Sequence, residues 1–318
     1  MATAAATLRL GIIGLSEGNG HPYSWSAIIN GDYDAAAMAQ CGFPVIPAYL
    51  QANRDTLGLE GARVTHVWTQ DPALSAQVAR ASHIEHVCAT LEEMLGQVDA
   101  VLLARDDPEN HVVMARSFIE SGVPIFIDKP LAYSRCDLDW FAEAHEAGRF
   151  VMSCSALRYS SGVQAARVDV PGIGEIELAV AVGKKDLRKY AIHYLEGLFA
   201  LLGDPRAVSV RHVSAPGKDI VLVEFANGTL ATVHVFMDIA PGGELRVYGR
   251  KGILNVDHGG AYPMFRASLE DAIRSFRAGR PRLDFAKTHN LISTLIGARE
   301  SLEQGGALIR LPPGPAQE

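Results

Sequence analysis

The first half of the chain alternates short, uniformly apolar runs with segments of helical period. Residues 8–14 (LRLGIIG), 63–68 (RVTHVW), 86–89, 99–104 (DAVLLA), 124–127 (PIFI) and 150–153 read as strands. Between them, residues 22–40, 72–81, 91–96, 109–122 and 138–148 carry the apolar spacing of helices. Asp71 before Pro72 gives the cap and first-turn signal of one helix, and Gly122 closes another. Runs such as DAVLLA and PIFI are apolar throughout, the signature of strands covered on both faces. Strand, helix, strand with short connectors predicts a doubly wound parallel sheet with crossover helices. Residues 43–61 (FPVIPAYLQANRDTLGLEG) exceed an ordinary connector and read as a partly helical insertion.

Beyond about residue 156 the pattern changes. Residues 176–182, 207–213, 220–225, 229–236, 245–249 and 252–256 read as strands, several with period-two alternation. Asn227-Gly228 between two of them is a hairpin signal. One helix, 190–202, interrupts this region, and two more, 268–278 and 284–304, close the chain. The second half is therefore expected to be α+β, with a mainly antiparallel sheet.

At 318 residues the chain exceeds the roughly 250–300 that one core usually supports, so two domains are expected, at 1–130 (with the insertion at 43–61) and 131–318. Hydrophobic residues at 48% and charged residues at 20% exclude disorder. Lys and Arg total 29 against 36 Asp and Glu, a net charge of −7 without a basic run, which argues against nucleic acid as a partner. No apolar stretch approaches the ~20 residues of a membrane span, and residues 1–7 are Ala-rich without a basic segment, so no membrane partner is expected. Cys41, Cys88, Cys136 and Cys154 fall at no metal or redox spacing and read as reduced thiols of a cytoplasmic protein. The proline-rich tail 312–315 is expected to fray.

Candidate chemistry begins at the first strand–helix junction. Gly14, Ser16, Gly18, Asn19, Gly20 and His21 form a Gly-rich turn leading into a helix, where backbone N–H groups meet a dinucleotide pyrophosphate. A GxGxxG pattern would put Gly at 16 and 19, where Ser16 and Asn19 stand, so the loop is a rearranged one. The ribose-reading position after the second strand holds Thr69 and Gln70 in place of the acid of an NAD site, and no Arg stands beside them for a 2′-phosphate. NAD and NADP stay equally open as cofactors.

Four features stand in one order: the loop with His21; Arg105, Asp106 and His111 after DAVLLA; Asp128-Lys129-Pro130-Leu131-Ala132 after PIFI; and the helix carrying His193. In this order the chain resembles the glucose–fructose oxidoreductase, inositol dehydrogenase and rhizopine catabolism (Gfo/Idh/MocA) family. The resemblance implies an α/β protein: an N-terminal Rossmann domain plus a C-terminal α+β domain with an open-faced sheet. It also implies NAD(P)-dependent oxidoreduction of a sugar, sugar derivative or cyclitol. The family's E-K-P maps onto Asp128, Lys129 and Pro130. Its D-x-x-x-H-x-x-D helix maps onto Lys189, His193 and Glu196, with Lys189 departing from the acid. The loop residues, Thr69, Gln70, Arg105, Asp106, His111, Asp128 and Lys129 are thereby assigned to the cofactor.

Alcohol oxidation needs a base for the hydroxyl proton and a group that favours the developing alkoxide. His193, of near-neutral intrinsic pKa, suits the base, and Lys129 at a parallel strand's C-terminal end suits the alkoxide. Glu196 on the same helix face either holds the imidazole tautomer or meets a substrate hydroxyl. Lys189 keeps His193 neutral or binds an anionic substrate group. Arg158 and Tyr159, following the last parallel strand, are assigned to the substrate, and no metal site is expected. Two other functions stay open: a catalytically silent dinucleotide- or sugar-binding regulator, and a cofactor-retaining epimerase or lyase. An uncovered antiparallel sheet face predicts a homodimer or homotetramer.

Overall fold

In the computed structural model, which describes residues 6–240 and 243–315, each apolar run of the first half is a strand of one parallel sheet. The Ala-rich start lies outside the described residues up to residue 5. Two compact units divide the chain. The first takes residues 1–131, 143–153 and 269–282, a discontinuous set where the sequence indicated one crossing point.

The first unit opens with β1 (Leu8–Ile13), α1 (His21–Asn30), α2 (Ala35–Met38), α3 (Val45–Ala52) and β2 (Ala62–Trp68). It continues with α4 (Pro72–Ala81), β3 (His86–Val87), β4 (Ala100–Leu103), α5 (His111–Glu120) and β5 (Ile125–Ile127), then the end of α6 (Arg135–Glu146) and β6 (Val151–Ser153). The strand order is β3-β2-β1-β4-β5-β6, all parallel. The order reverses between β1 and β4, the switch point outside which doubly wound sheets bind ligands. Ile12, Ile13, Val101, Leu102, Ile125 and Ile127 have no exposed surface, as their uninterrupted apolar runs require.

Three helical expectations change. The segment 22–40 is two helices, because Gly31 leaves α1 with φ +79° against the backbone of Gly58, and Asp34 then caps α2. Residues 91–96 supply only a 3₁₀ turn, Glu92–Met94. The helix expected from 109 begins at His111 after a 3₁₀ turn over Pro108–Asn110.

The second unit takes residues 132–142, 154–268 and 283–318. After the start of α6 it contains α7 (Ser161–Asp169), β7 (Ile176–Lys184), α8 (Leu187–Leu202), β8 (Ala207–Ala215), β9 (Lys218–Phe225), β10 (Leu230–Phe236), β11 (Glu244–Gly249) and β12 (Gly252–Val256). The first part of α9 (Ala261–Ala278), then α10 (Phe285–Glu303) and β13 (Ile309–Arg310), complete it. The sheet runs β12-β11-β7-β10-β9-β8-β13, and only the β7–β10 pair is parallel. Helix α7, capped by Ser160, and the short β13 are additions to the elements expected, and α9 starts at Ala261 rather than 268. Gly228 turns the β9–β10 hairpin at φ +87°.

Helices α8 and α10 cover one sheet face, over Ala179, Ala181, Val210, Val221, Val233 and Val247. The alternate residues face the other way: Leu178, Val180, Leu222, Leu230 and Ile253 are half-buried or exposed. No helix of the described residues is long and apolar enough to cross a membrane.

Candidate active site

In the first unit, β1 delivers the Gly-rich loop to the N-terminus of α1. Close packing explains two of its glycines. A Cβ at Gly14 would stand 2.2 Å from Pro22 Cγ, and one at Gly20 would stand 2.4 Å from Ile46 Cδ1 on α3. Gly18 sits at φ +78°. The residues in place of the missing glycines have polar roles. Asn19 accepts through Oδ1 from the N–H of His21, the first residue of α1 (2.8 Å), and donates from Nδ2 to Asp128 Oδ2 (2.8 Å). Ser16 Oγ donates to Asp106 Oδ1 at 2.6 Å and accepts from the Asp106 N–H at 3.0 Å.

Asp128, at the end of β5, gathers the loop. Its Oδ2 lies 2.6 Å from His21 Nδ1, and its Oδ1 accepts from the Lys129 N–H at 2.8 Å. Burial pushes this carboxyl up, but the charges of His21 and Lys129 and the bonds from His21 and Asn19 outweigh it and hold Asp128 well below the usual carboxylate range. An ionised Asp128 fixes the His21 proton on Nδ1, and the ring stacks on Trp25 at 4.7 Å. The buried Lys129 ammonium is 3.5 Å from Asp106 Oδ2. That exceeds the ~2.7–2.9 Å of a full charge-assisted hydrogen bond, so the ammonium keeps donor capacity for a ligand oxygen.

Around this centre lies a second shelf. Arg105 Nη1 donates to the Leu15 carbonyl and to Gln70 Oε1, both at 2.9 Å, and its other edge is bidentate to Asp107. Gln70 Oε1 also accepts from the Leu15 N–H at 3.0 Å. Burial raises Asp107, yet bonds from Arg105 and Asn110 hold it below its ordinary value. Thr69 spends its hydroxyl on the Asp71 carbonyl and Ser75, so it holds the turn. His111 is fully buried, its ring nitrogens 3.0 Å from the Leu131 and Arg105 carbonyls, and burial lowers its pKa. It ties together the loops after β4 and β5. The residues present fit a dinucleotide: a glycine turn at the switch point, a helix N-terminus, and a buried ammonium with donor capacity left.

In the second unit, α8 carries Lys189 and His193 one turn apart. His193 Nδ1 lies 2.7 Å from Ser155 Oγ, not beside Glu196. Glu196 is buried, accepting from the Ser155 N–H (3.1 Å) and from Arg158 Nε. Arg158 in turn grips Asp204 with two bonds, of 3.1 and 2.6 Å. Burial works against this guanidinium, but the carboxylates of Glu196 and Asp204 raise its pKa and keep it charged. Burial raises Glu196, against the pull of Arg158. The expectation that Glu196 holds the imidazole is corrected, and Arg158 and Glu196 spend their polar atoms on an internal network. Ser155 and Asp204 escaped sequence reading. Ser155 caps a 3₁₀ turn over Ala156–Tyr159, accepting from Leu157 N–H, and a Ser just after a strand is the signal that could have found it. Tyr159 is half-buried, as is Lys189, whose N–H is capped by Asp186.

Comparison with known proteins agrees with this architecture. The family model described as "Oxidoreductase family, NAD-binding Rossmann fold" (GFO_IDH_MocA) matches residues 38–153, beginning beyond the rearranged loop. An inositol 2-dehydrogenase of Pseudomonas fluorescens is 31% identical over 224 residues, 61% of this chain and 66% of that protein. One of Klebsiella pneumoniae is 32% identical over 203 residues, 55% of this chain and 60% of that protein. The matches thus span about two thirds or less of these relatives. Among solved structures, a scyllo-inositol dehydrogenase of Lactobacillus casei superposes with TM-score 0.77 at 13% identity, covering 97% of this chain and 99% of that one. A myo-inositol dehydrogenase of the same organism, in complex with NAD(H) and myo-inositol, gives 0.76 at 14% identity, covering 98% of each. At such identities the likeness is one of fold. With its glycine turn, its Asp128-Lys129-Pro130 segment and its two-unit architecture, the chain belongs to the Gfo/Idh/MocA family of oxidoreductases.

Proposed function

We propose that the protein is an NAD(P)-dependent dehydrogenase acting on a secondary hydroxyl of a cyclitol, sugar or sugar derivative. The observation that carries this reading is Lys129: a buried ammonium at the C-terminal end of a parallel strand, beside the glycine turn, with donor capacity left by its 3.5 Å contact to Asp106. The inositol dehydrogenases among its relatives and neighbours support the substrate class.

The loop 14–21 and the N-terminus of α1 would hold the pyrophosphate, and Lys129 is fixed beside them through Asp128 and Asp106. A bound nicotinamide would supply the hydride acceptor for the carbinol carbon. Lys129 donates a hydrogen bond to the reacting oxygen and stabilises its negative charge. His193 is the proposed base. With its Nδ1–H directed at Ser155 Oγ, Nε2 takes the hydroxyl proton, and the serine oxygen has lone pairs for both this N–H and that of Leu157. Tyr159 is proposed to contact substrate.

The test is direct. Purified protein is incubated with NAD or NADP and a panel of inositols and sugars, and absorbance of the reduced nicotinamide is followed. Turnover with a cyclitol or sugar is expected. Tight cofactor binding without turnover would sink the dehydrogenase reading, as would turnover that leaves no net reduced cofactor.

We further propose self-association through the uncovered sheet face. Val213 (57% exposed), Ile253 (57%), Leu230 (40%) and Leu222 (37%) all lie on it. A reducing cytoplasm fits the four cysteines, all of them free thiols.

A further inference from the structure

We propose that Gln70 puts an uncharged, hydrogen-bond-donating group at the ribose-reading position of the nucleotide site, so that the protein accepts NAD and NADP alike. The inference rests on the reading of the first unit as a dinucleotide site and concerns what that site selects.

The argument begins with an amide whose orientation is fixed by chemistry. One atom of the Gln70 amide faces the Leu15 N–H at 3.0 Å and Arg105 Nη1 at 2.9 Å. Both partners are obligate donors, so that atom is the oxygen. The NH₂ group is therefore turned the other way, on a residue that is itself exposed. Gln70 stands just past the end of β2, where a dinucleotide's adenosine ribose is read. An Asp or Glu there accepts bonds from the ribose hydroxyls and repels a 2′-phosphate. An NH₂ donates instead, to a hydroxyl oxygen or to a phosphate oxygen, and discriminates little between them.

The nearby cation is neutralised by its own partner. Arg105 would reward a 2′-phosphate if it were unpaired, but it is bidentate to Asp107 at 2.9 and 2.5 Å and bound to the Leu15 carbonyl. Thr69 is committed to Asp71 and Ser75. Asp71 is the remaining acid, and its Oδ1 accepts from the Ala73 N–H as the cap of α4. Among the described residues bonded to Gln70, the one cation is already paired, and the ribose-reading residue is not an acid. Bonds among three residues tie the loop (Leu15), the end of β2 (Gln70) and the end of β4 (Arg105) into one shelf, so the NH₂ is presented in a set direction.

The experiment is a calorimetric titration of the full-length protein with NAD and, separately, with NADP, without substrate. Wild type is expected to bind both with dissociation constants within about tenfold of each other. In Gln70→Glu, one oxygen keeps the bonds to Leu15 and Arg105, and the other places an anion where the NH₂ stood. This variant is expected to weaken NADP relative to NAD by about tenfold or more, through like-charge repulsion. Asp71→Asn is expected to leave the ratio where it was. A wild-type preference beyond about a hundredfold either way would overturn the proposal. So would an unchanged ratio in Gln70→Glu, or a ratio that moves with Asp71→Asn instead. If neither nucleotide binds, the reading of the first unit as a dinucleotide site fails as well, a result distinct from a bound pair with the wrong ratio.

Discussion

Asp128 accepts from three donors and stays ionised although it is buried, so it couples the loop's position to pH. Its folded value lies below that of the unfolded chain, about 3.9. Its contribution to stability is therefore fully present above that value and lost as the pH falls below it toward the folded one. Asp128→Asn is expected to cost about 1–3 kcal/mol at neutral pH and to flatten the fall of Tm below about pH 4, measured by thermal unfolding across pH. An unchanged acid limb would show that the carboxylate is not the group responsible. Lys129→Met is expected to lower kcat by about a hundredfold or more while NAD binding, read by titration, persists. The acid, the lysine and the loop's polar residues were all legible from their places in the sequence. Their mutual bonds were not, because side chains 90 to 109 residues apart meet only once β1, β4 and β5 lie side by side.

At the scale of elements, uniformly apolar runs located the parallel strands well, since full burial leaves no polar position in them. Short elements were harder to see: β13 has two residues, and α7 has a single buried side chain, Val163. Helix α8 shows a subtler limit. Three residues advance about 300° around a helix, so the Glu196 side chain leaves the axis about 60° away from that of His193. Its carboxylate meets Arg158 instead. That buried network yields a prediction. Arg158→Met leaves Glu196 and Asp204 without their guanidinium and is expected to destabilise the fold by about 3–5 kcal/mol, measured by urea unfolding. If Glu196→Gln and Asp204→Asn in the same background restored nothing, unpaired charge would not be the cause. Ser155→Ala tests the imidazole's support. It is expected to shift the acidic limb of the kcat/KM profile, which a purely structural serine would leave in place.

For the whole molecule, the uncovered sheet face sets the expected assembly. Leu222→Lys together with Leu230→Lys puts charge at two exposed positions of that face and is expected to convert dimer or tetramer to monomer in light scattering. A wild type that is monomeric at high concentration would remove the premise.

The discontinuity of the first unit bears on how the chain matures during synthesis. Phe276 packs its ring 5.4 Å from Phe150, and Arg277 Nη2 donates to the Gly61 carbonyl at 2.8 Å, so residues 269–282 complete a body begun at the N-terminus. On the ribosome that body would wait, with β6 the last strand of its sheet, until residues 269–282 have emerged. Nascent chains stalled before residue 269 should resist protease poorly, and those stalled well beyond 282 should resist it, so this half is not a module that matures before the rest.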